Sequence, residues 1–319
     1  MSSLHDWVYN VEAGPIRAWL VRIALILLVV GMSAYIGIRE FNGLRTFEAM
    51  DLAQQARQLA EGKGFTTLLI RPLALWQVRA NLENNAPAVT AFPETLTPPL
   101  YPVLLAACFK AGTIAKVISF DLSEEALKGF RTFPPDLVIL VLQLFLIVAS
   151  ASAVFAWAQR QFDIGTGVLA VVFFLGSSPL WSQAVSGGAT LLVVFLYALA
   201  GWFLCQGGLR MEDNEQSDAG GLLWPWFLAG GFLLGLTSLV QIIQIWPVLA
   251  AVVLGCLAFR QGKWALSLGL ILALGLFAGW ILRLWLVCKN PHRAKLGVSP
   301  GGLPAISRRN GLEDLHFRY

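Results

Sequence analysis

The segment RTFEAMDLAQQARQLAEGKGFTTLLIRP, residues 45–72, is a long polar stretch that directly follows the first hydrophobic run of the chain. Two acids lie near its start, Glu48 and Asp51, and their separation of three residues would place them on one face of a helix. Acids on a helix next to a membrane can serve chemistry, but they can equally form a solvated face. The sequence therefore marks this segment as a candidate site and leaves both interpretations open.

The same segment has the pattern of an amphipathic helix. Leu52, Ala56 and Leu59 recur at helical spacing on a stripe beside the acids, which is typical of a helix that lies along a membrane surface. Gly62 and Gly64 follow, and glycine readily adopts the left-handed backbone of a helix C-cap. We therefore predict a short amphipathic helix that ends before residue 62.

Composition indicates an integral membrane protein. Of the 319 residues, 57% are hydrophobic and only 13% are charged, and the mean hydropathy is +0.67. A soluble domain carries roughly a quarter charged residues, so this shortfall, together with apolar runs of about 20 residues, predicts an all-α polytopic membrane protein that resides in the lipid bilayer. The net charge of +4 is small and spread over the loops, which argues against nucleic-acid binding.

The hydropathy pattern predicts about eight transmembrane helices in one polytopic domain, residues 1–319. Gly176 to Pro179 would break the fourth span, and Gln241, Gln244 and Pro247 would divide the long apolar run 222–260 into a hairpin. The predicted spans are about 18–38, 100–118, 136–158, 164–180, 188–205, two within 222–260, and 264–288. An acidic segment after the fifth span, residues 210–221, is expected to be a solvated connector, and a polar tail, 289–319, follows the last span.

The first loop, residues 39–97, is about 60 residues long, and loops of this length in compact proteins are usually functional. Its second half, 81–97, is rich in Asn, Pro and Thr and is expected to be irregular. With eight spans, the basic tail and the N-terminus would both lie in the cytoplasm, which places the first loop outside the membrane.

Metal and disulfide chemistry find little support in the composition. The cysteines have no CxxC spacing and lie in or beside apolar spans, and the histidines are scattered, so neither set predicts a metal site or a disulfide. These residues are Cys108, Cys205, Cys256, Cys288, His5, His292 and His316. Glu48 and Asp51 could together bind a divalent cation, although two carboxylates are a minimal ligand set.

Two charges lie inside predicted spans, Lys110 and Arg283. Membrane interiors tolerate such charges mainly when they are paired or functional, but a long basic side chain can also extend to the interface. We expect both residues to extend to the interface.

Three segments, in this order, resemble those of polytopic GT-C glycosyltransferases, the fold of protein O-mannosyltransferases and lipid A aminoarabinose transferases. The first is EAMDLAQQARQLAEGKGFTT, residues 48–67, with the following IRP, residues 70–72. The second is TPPLYPVLLA, residues 97–106, and the third is LAGGFLLGLTSLVQ, residues 228–241. The third ends in Gln241, where the family commonly has a basic residue. The resemblance covers about residues 18–288.

The resemblance implies transfer of a sugar from a polyprenyl-phosphate carrier to an acceptor on the outer face of a plasma (bacterial inner) membrane. The lipid-linked sugar would be a substrate rather than a cofactor, and the acceptor is not indicated. The acceptor hydroxyl needs a general base, for which Asp51 is the first choice and Glu48 the second. Arg71 could face the donor phosphate or be a plain surface arginine. Tyr101 could line the site or anchor the second span at the membrane interface.

Two alternatives remain open at this stage. Members of the family usually carry more spans and often a soluble C-terminal domain, so the chain is expected to be a compact variant or the N-terminal part of a longer protein. It could then be a non-catalytic membrane subunit or scaffold. A transporter of a lipid-linked substrate is less favoured, because no internal repeat is visible and the acids lie in a loop rather than inside spans.

Overall fold

The computed structural model describes residues 15–79, 92–120, 133–217, 224–258 and 263–289, and this part of the chain is almost entirely helical. Its α-helices are α1 (Pro15–Glu40), α2 (Phe47–Ala60), α3 (Pro72–Arg79), α4 (Leu100–Ile114), α5 (Pro134–Gln161), α6 (Ile164–Leu175), α7 (Ser178–Ser186), α8 (Thr190–Ser217), α9 (Trp224–Val240), α10 (Ile245–Ala258) and α11 (Lys263–Lys289). Two short strands, β1 (Thr66–Thr67) and β2 (Phe92–Pro93), pair antiparallel, with Thr66 opposite Pro93.

Several helices have the length and composition of membrane spans. Four of them qualify alone among the described residues, through Ile23–Glu40, Pro134–Gln161, Thr190–Met211 and Lys263–Cys288. Helices α6 and α7 make a fifth if they are taken as one span, which bends by 57°. The all-α, multi-pass membrane architecture is therefore confirmed. The count of eight spans stays a prediction, because α4, α9 and 242–258 are apolar but shorter.

The predicted helix breaks occur where the sequence placed them. Helix α6 ends at Leu175 and α7 begins at Ser178, on either side of Gly176. Helix α9 ends at Val240, and a short 3₁₀ turn, Ile242–Gln244, precedes α10. Residues 80–91, which include most of the predicted irregular segment, lie outside the described residues, as do 1–14 and 290–319.

The acidic connector predicted after the fifth span differs from the structure. Helix α8 continues through this segment to Ser217. Met, Glu and Gln are good helix formers, and extending an existing helix avoids the cost of nucleation. Polarity alone is therefore a poor signal for the end of a helix.

The main core forms where α2, α4, α5 and α8 meet. Leu52 and Ala56 of α2 are almost fully buried in it, together with Leu105 and Phe109 of α4. The apolar stripe of α2 therefore packs against the helical core, while the position of this helix along a membrane surface stays a prediction. Burial of this face fixes which side of α2 is free to carry a site.

The first loop lies beside the start of α5 and the end of α11. Arg57 of α2 contacts Phe133, which directly precedes α5, and Arg283 near the end of α11 contacts Phe65 of the same loop. Eight alternating crossings would put the end of α11 on the side of the N-terminus, but this end lies beside the first loop. A topology in which successive loops alternate between the two sides does not reproduce this arrangement, because it assumes that every apolar helix crosses the membrane.

Helices α9 and α11 approach each other most closely at glycines. A Cβ atom at Gly231 of α9 would overlap the carbonyl of Leu266, and one at Gly269 of α11 would overlap the carbonyl of Leu228. Small residues allow membrane helices to pack backbone against backbone in this way. The contact positions α9, whose end at Val240 forms part of the site described next.

Candidate functional site

Helix α2 presents the two predicted acids and is well defined at both ends. The Thr46 hydroxyl accepts a hydrogen bond from the Ala49 amide at 3.3 Å, which caps the first turn. At the other end, Gly62 has a φ of +76° in the left-handed region, as the glycine pattern predicted. Glu48 and Asp51 are therefore held in a helix of defined length.

The opposite side of α2 carries a cation that is anchored rather than free. The Arg57 guanidinium lies over the Phe133 ring at 5.4 Å and donates to the Ala53 carbonyl. Burial lowers the pKa of Arg57, and the nearby negative charges of Asp136 and Glu61 partly offset that effect. This residue secures α2 from the side away from the acids.

Asp51 is buried and fully engaged. Only 5% of the residue is exposed, and its carboxylate forms an ion pair with Arg71 from the segment between β1 and α3. The Thr67 hydroxyl donates to Asp51 Oδ1 at 3.2 Å. The structure thus brings together two of the predicted site residues, Asp51 and Arg71, and adds Thr67.

Glu48 lies one helical turn before Asp51 and has a different environment. Its side chain is exposed, and its carboxylate forms no hydrogen bond or ion pair with any of the described residues. Glu48 and Asp51 nevertheless line the same cavity. The two acids therefore differ in availability: Glu48 is accessible to a group bound in the cavity, whereas Asp51 is held by a guanidinium and a hydroxyl.

The cavity has a volume of about 430 Å³ and lies between α2 and the turn that follows α9. One wall consists of Glu48, Asp51 and Arg71, and the turn after α9 contributes the facing wall. Other lining residues are Leu52, Leu96, Thr97, Pro98, Ala189 and Gln241. A volume of this size falls within the range of small-molecule sites. We call it the site cavity.

Gln241 sits at the break between α9 and α10, with an extended backbone (φ −144°, ψ 122°). Its Oε1 accepts a hydrogen bond from Gln244 at 3.3 Å, and the Tyr197 hydroxyl donates to Gln244 Oε1 at 3.0 Å. Gln241 Nε2 also donates to the Thr190 hydroxyl at 3.5 Å, so neighbours on two sides hold the carboxamide. A neutral hydrogen-bonding group therefore stands where the resembling family commonly has a cation.

A buried acid that the sequence analysis did not single out shapes another wall of the cavity. Glu94 is 3% exposed, and its Oε1 accepts hydrogen bonds from the amides of Leu96 (2.8 Å) and Thr97 (2.9 Å). Its Oε2 accepts from Gln55 Nε2 of α2 at 3.2 Å. The carboxylate folds residues 94–98 into a tight turn against α2. Two of its four hydrogen-bond partners are backbone amides, which no residue motif reveals.

The other side of residues 94–98 borders a second cavity of about 430 Å³, which we call the apolar groove. It lies between α3 and the end of α11 and is lined by Trp76, Gln77, Thr95, Ile281, Leu284 and Trp285. Within the described part of the chain, Thr95 Oγ1 and Gln77 Oε1 are buried and have no hydrogen-bond partner. The site cavity and the apolar groove therefore lie on opposite sides of residues 94–98.

Tyr101 does not lie on the wall of the site cavity. It is fully buried in the core, where its hydroxyl donates to the Gly187 carbonyl at 2.8 Å and accepts from Gln143 Nε2 at 2.6 Å. These contacts tie α4 to α5 and to the turn before α8. Tyr101 therefore supports the fold around the site.

The carboxylates do not form a cation-binding set. No group of three or more His, Cys, Asp or Glu residues comes together within the ranges that the structure describes. Asp51 already faces the Arg71 guanidinium, so Glu48 alone would remain for a cation, and Mg²⁺ or Ca²⁺ normally requires several oxygen ligands. A divalent cation does not fit these residues.

A comparison of the chain with protein-family models, with curated protein sequences and with solved structures finds no match in any of the three.

Proposed function

We propose that the protein is a membrane glycosyltransferase, which transfers a sugar from a polyprenyl-phosphate-linked donor to an acceptor at the outer face of the membrane. The observation that carries the proposal is the grouping of Glu48, Asp51 and Arg71 around one cavity of about 430 Å³. A base and a cation on one wall are what the attack of a hydroxyl on an anomeric carbon requires. The resemblance of three segments to GT-C enzymes supports the same reaction.

The contacts favour Glu48 over Asp51 as the general base, which reverses the order that the resemblance suggests. Glu48 is the better general base, because its carboxylate is exposed and forms no hydrogen bond or ion pair with the residues that the structure describes. Asp51 holds the Arg71 guanidinium at the cavity wall. A guanidinium has five N–H donors, so Arg71 can bind Asp51 and still donate to the phosphate that leaves with the carrier lipid.

The apolar groove supports a lipid-linked donor. It lies beside the site cavity, on the other side of residues 94–98, and exposes the rings of Trp76 and Trp285. Tryptophans of this kind are common at the level of the lipid head groups. If the donor phosphate binds at Arg71, the hydrocarbon chain of the carrier lipid would therefore lie among the apolar side chains of the groove.

We also propose that eight apolar helices lie in the membrane, seven of which cross it, with the first loop outside a plasma (bacterial inner) membrane. An apolar helix occurs at each position where the sequence predicts a span, including the short helices α4, α9 and α10. The chain lies on the first-loop side of the membrane both immediately before α4 and at the start of α5. Helix α4 would therefore enter the membrane, and the chain would return to the same side before α5 begins. An outward first loop places Glu48 on the side where the resembling family uses lipid-linked sugars.

The experiment is a transfer assay in membranes that contain the full chain and a radiolabelled sugar on polyprenyl phosphate. We expect Glu48→Gln to reduce transfer by about 100-fold or more, the usual effect of losing a general base. Asp51→Asn and Arg71→Met should also reduce transfer, because both disturb the guanidinium. Glu61→Gln is the matched control, since this acid follows the same helix but pairs with Lys63 at the surface.

Two outcomes would change the proposal. Loss of transfer in Asp51→Asn with full transfer in Glu48→Gln would return the role of base to Asp51. No transfer by the wild-type chain, in membranes where a protein O-mannosyltransferase is active on its own donor, would favour a non-catalytic subunit or a fragment of a longer transferase.

A further inference from the structure

Arg283 lies in the last turns of α11, a helix with the length and composition of a membrane span. Its guanidinium donates from Nη1 to the Glu94 carbonyl and from Nη2 to the Phe65 carbonyl, each at 3.3 Å. The guanidinium carbon also lies 5.0 Å from the centre of the Phe65 ring. One side chain therefore contacts two segments that are far away in sequence.

These contacts give Arg283 defined partners in the first loop, while the expectation that it extends to the membrane interface stays a prediction. A charge in an apolar helix is costly unless polar groups compensate for it. Here two carbonyl oxygens and the face of an aromatic ring provide that compensation. Lys110, the other charge that the sequence analysis placed within a span, is exposed instead.

The two carbonyls belong to residues next to the paired strands. Phe65 directly precedes β1, and Glu94 directly follows β2. Arg283 thus binds both strands of the small sheet at the same end. The guanidinium provides two parallel donors in a fixed geometry, which a lysine ammonium does not.

Hydrogen bonds connect each strand that Arg283 contacts to a residue of the site cavity. On the β1 side, Thr67 donates its hydroxyl to Asp51 at 3.2 Å. On the β2 side, the Glu94 carboxylate binds the amide of Thr97, a residue of the cavity wall. Movement of the sheet would therefore displace both the Asp51–Arg71 pair and the cavity wall formed by residues 94–98.

We infer that Arg283 is a positioning residue that fixes the β1–β2 sheet to α11 and thereby sets the geometry of the Asp51–Arg71 pair. The contacts alone support the attachment of the sheet to α11. Its consequence for sugar transfer rests on the proposed function. The hydrogen bonds of Arg283 go to the sheet rather than to Asp51 or Arg71, so its effect on the site is indirect.

The first test measures the sheet directly and needs no activity. Thr66 of β1 is 6% exposed, so a Thr66→Cys variant of the full chain in detergent should react slowly with a maleimide. Adding Arg283→Gln should increase the labelling rate at residue 66 by about tenfold or more, because two hydrogen bonds from a charged group no longer oppose local opening. Adding Arg283→Lys instead should give an intermediate rate.

Two controls separate local from general effects. Cys205 is buried in α8, far from the sheet in sequence, and its labelling, followed separately by peptide mass spectrometry, should not change. Lys110→Gln removes a charge from another apolar helix and should leave residue 66 protected. An equal labelling rate at residue 66 with and without the Arg283→Gln substitution would overturn the inference, and so would a parallel increase at Cys205.

The second test uses the transfer assay. Arg283→Gln should lower kcat with a smaller change in the KM for the donor, and Arg283→Lys should restore part of kcat. An unchanged kcat, in a chain whose sheet is shown to open, would overturn the link to catalysis. If the wild-type chain transfers no sugar, the proposed function fails, while the labelling result still decides whether Arg283 fixes the sheet.

Discussion

Asp51 and Arg71 form the most consequential pair of side chains in the protein. The Asp51 side chain is only 2% exposed, whereas the Arg71 side chain is 34% exposed. An ion pair with one buried member is asymmetric, because removal of the exposed member leaves a charge without compensation in a region of low dielectric. The same pair therefore links stability to the chemistry of the cavity.

We expect Arg71→Met to lower the free energy of unfolding by about 1–3 kcal/mol, because it leaves the Asp51 carboxylate buried and uncompensated. The double variant Asp51→Asn, Arg71→Met should recover part of this loss. Thermal unfolding in detergent measures both effects. Lys63→Met removes the cation of the exposed Glu61 pair and should change stability by less than about 0.5 kcal/mol. A loss of the same size in Lys63→Met would contradict the role of burial.

At the scale of the helices, the packing of α9 on α11 depends on glycines. Gly231 of α9 faces the Leu266 carbonyl so closely that no Cβ atom fits. On α11 itself, the position of a Cβ at Gly275 has no heavy atom within 4 Å apart from its chain neighbours and the backbone of its own helix. The chain therefore offers a tight glycine and an open glycine for direct comparison.

We expect Gly231→Ala to destabilise the protein by about 1–3 kcal/mol, because α9 and α11 must separate to admit the methyl group. Gly275→Ala should be neutral or slightly stabilising, since alanine favours the helix and meets no neighbour. The midpoint of thermal unfolding in detergent distinguishes the two variants. Equal midpoints would show that the two helices can shift without cost.

What the sequence predicts well at this scale is local. Hydropathy located the apolar helices and their breaks near Gly176 and Gln241, and Gly62 marked the end of α2. The contacts that build the site are non-local. Glu94 reaches Gln55 across 39 positions, and Arg283 reaches Phe65 across 218, so neither contact follows from spacing or periodicity.

For the whole molecule, the orientation in the membrane determines which compartment the site cavity faces. Lys63, between the two glycines after α2, is exposed and pairs with Glu61. Arg160 is exposed at the far end of α5, a helix of 28 residues that begins beside α2 and is therefore about 42 Å long. Cysteines at these two positions should face opposite sides of the membrane.

We expect Lys63→Cys to react with a membrane-impermeant maleimide in intact cells, because the proposed topology places the first loop outside. Arg160→Cys is the matched control and should react only after the cells are permeabilised. Both variants are made in a chain whose four native cysteines are replaced by alanine. Labelling of residue 160 but not of residue 63 in intact cells would show that the first loop faces the cytoplasm.

The contact between Arg283 and the small sheet also sets an order of events during synthesis. Its partners Phe65 and Glu94 precede it by 218 and 189 positions, so they leave the ribosome long before α11 exists. Domains form from the N-terminus onward as the chain emerges, and contacts of large sequence separation form late. The cavity wall around Asp51 therefore reaches its final geometry only when the last described helix has entered the membrane.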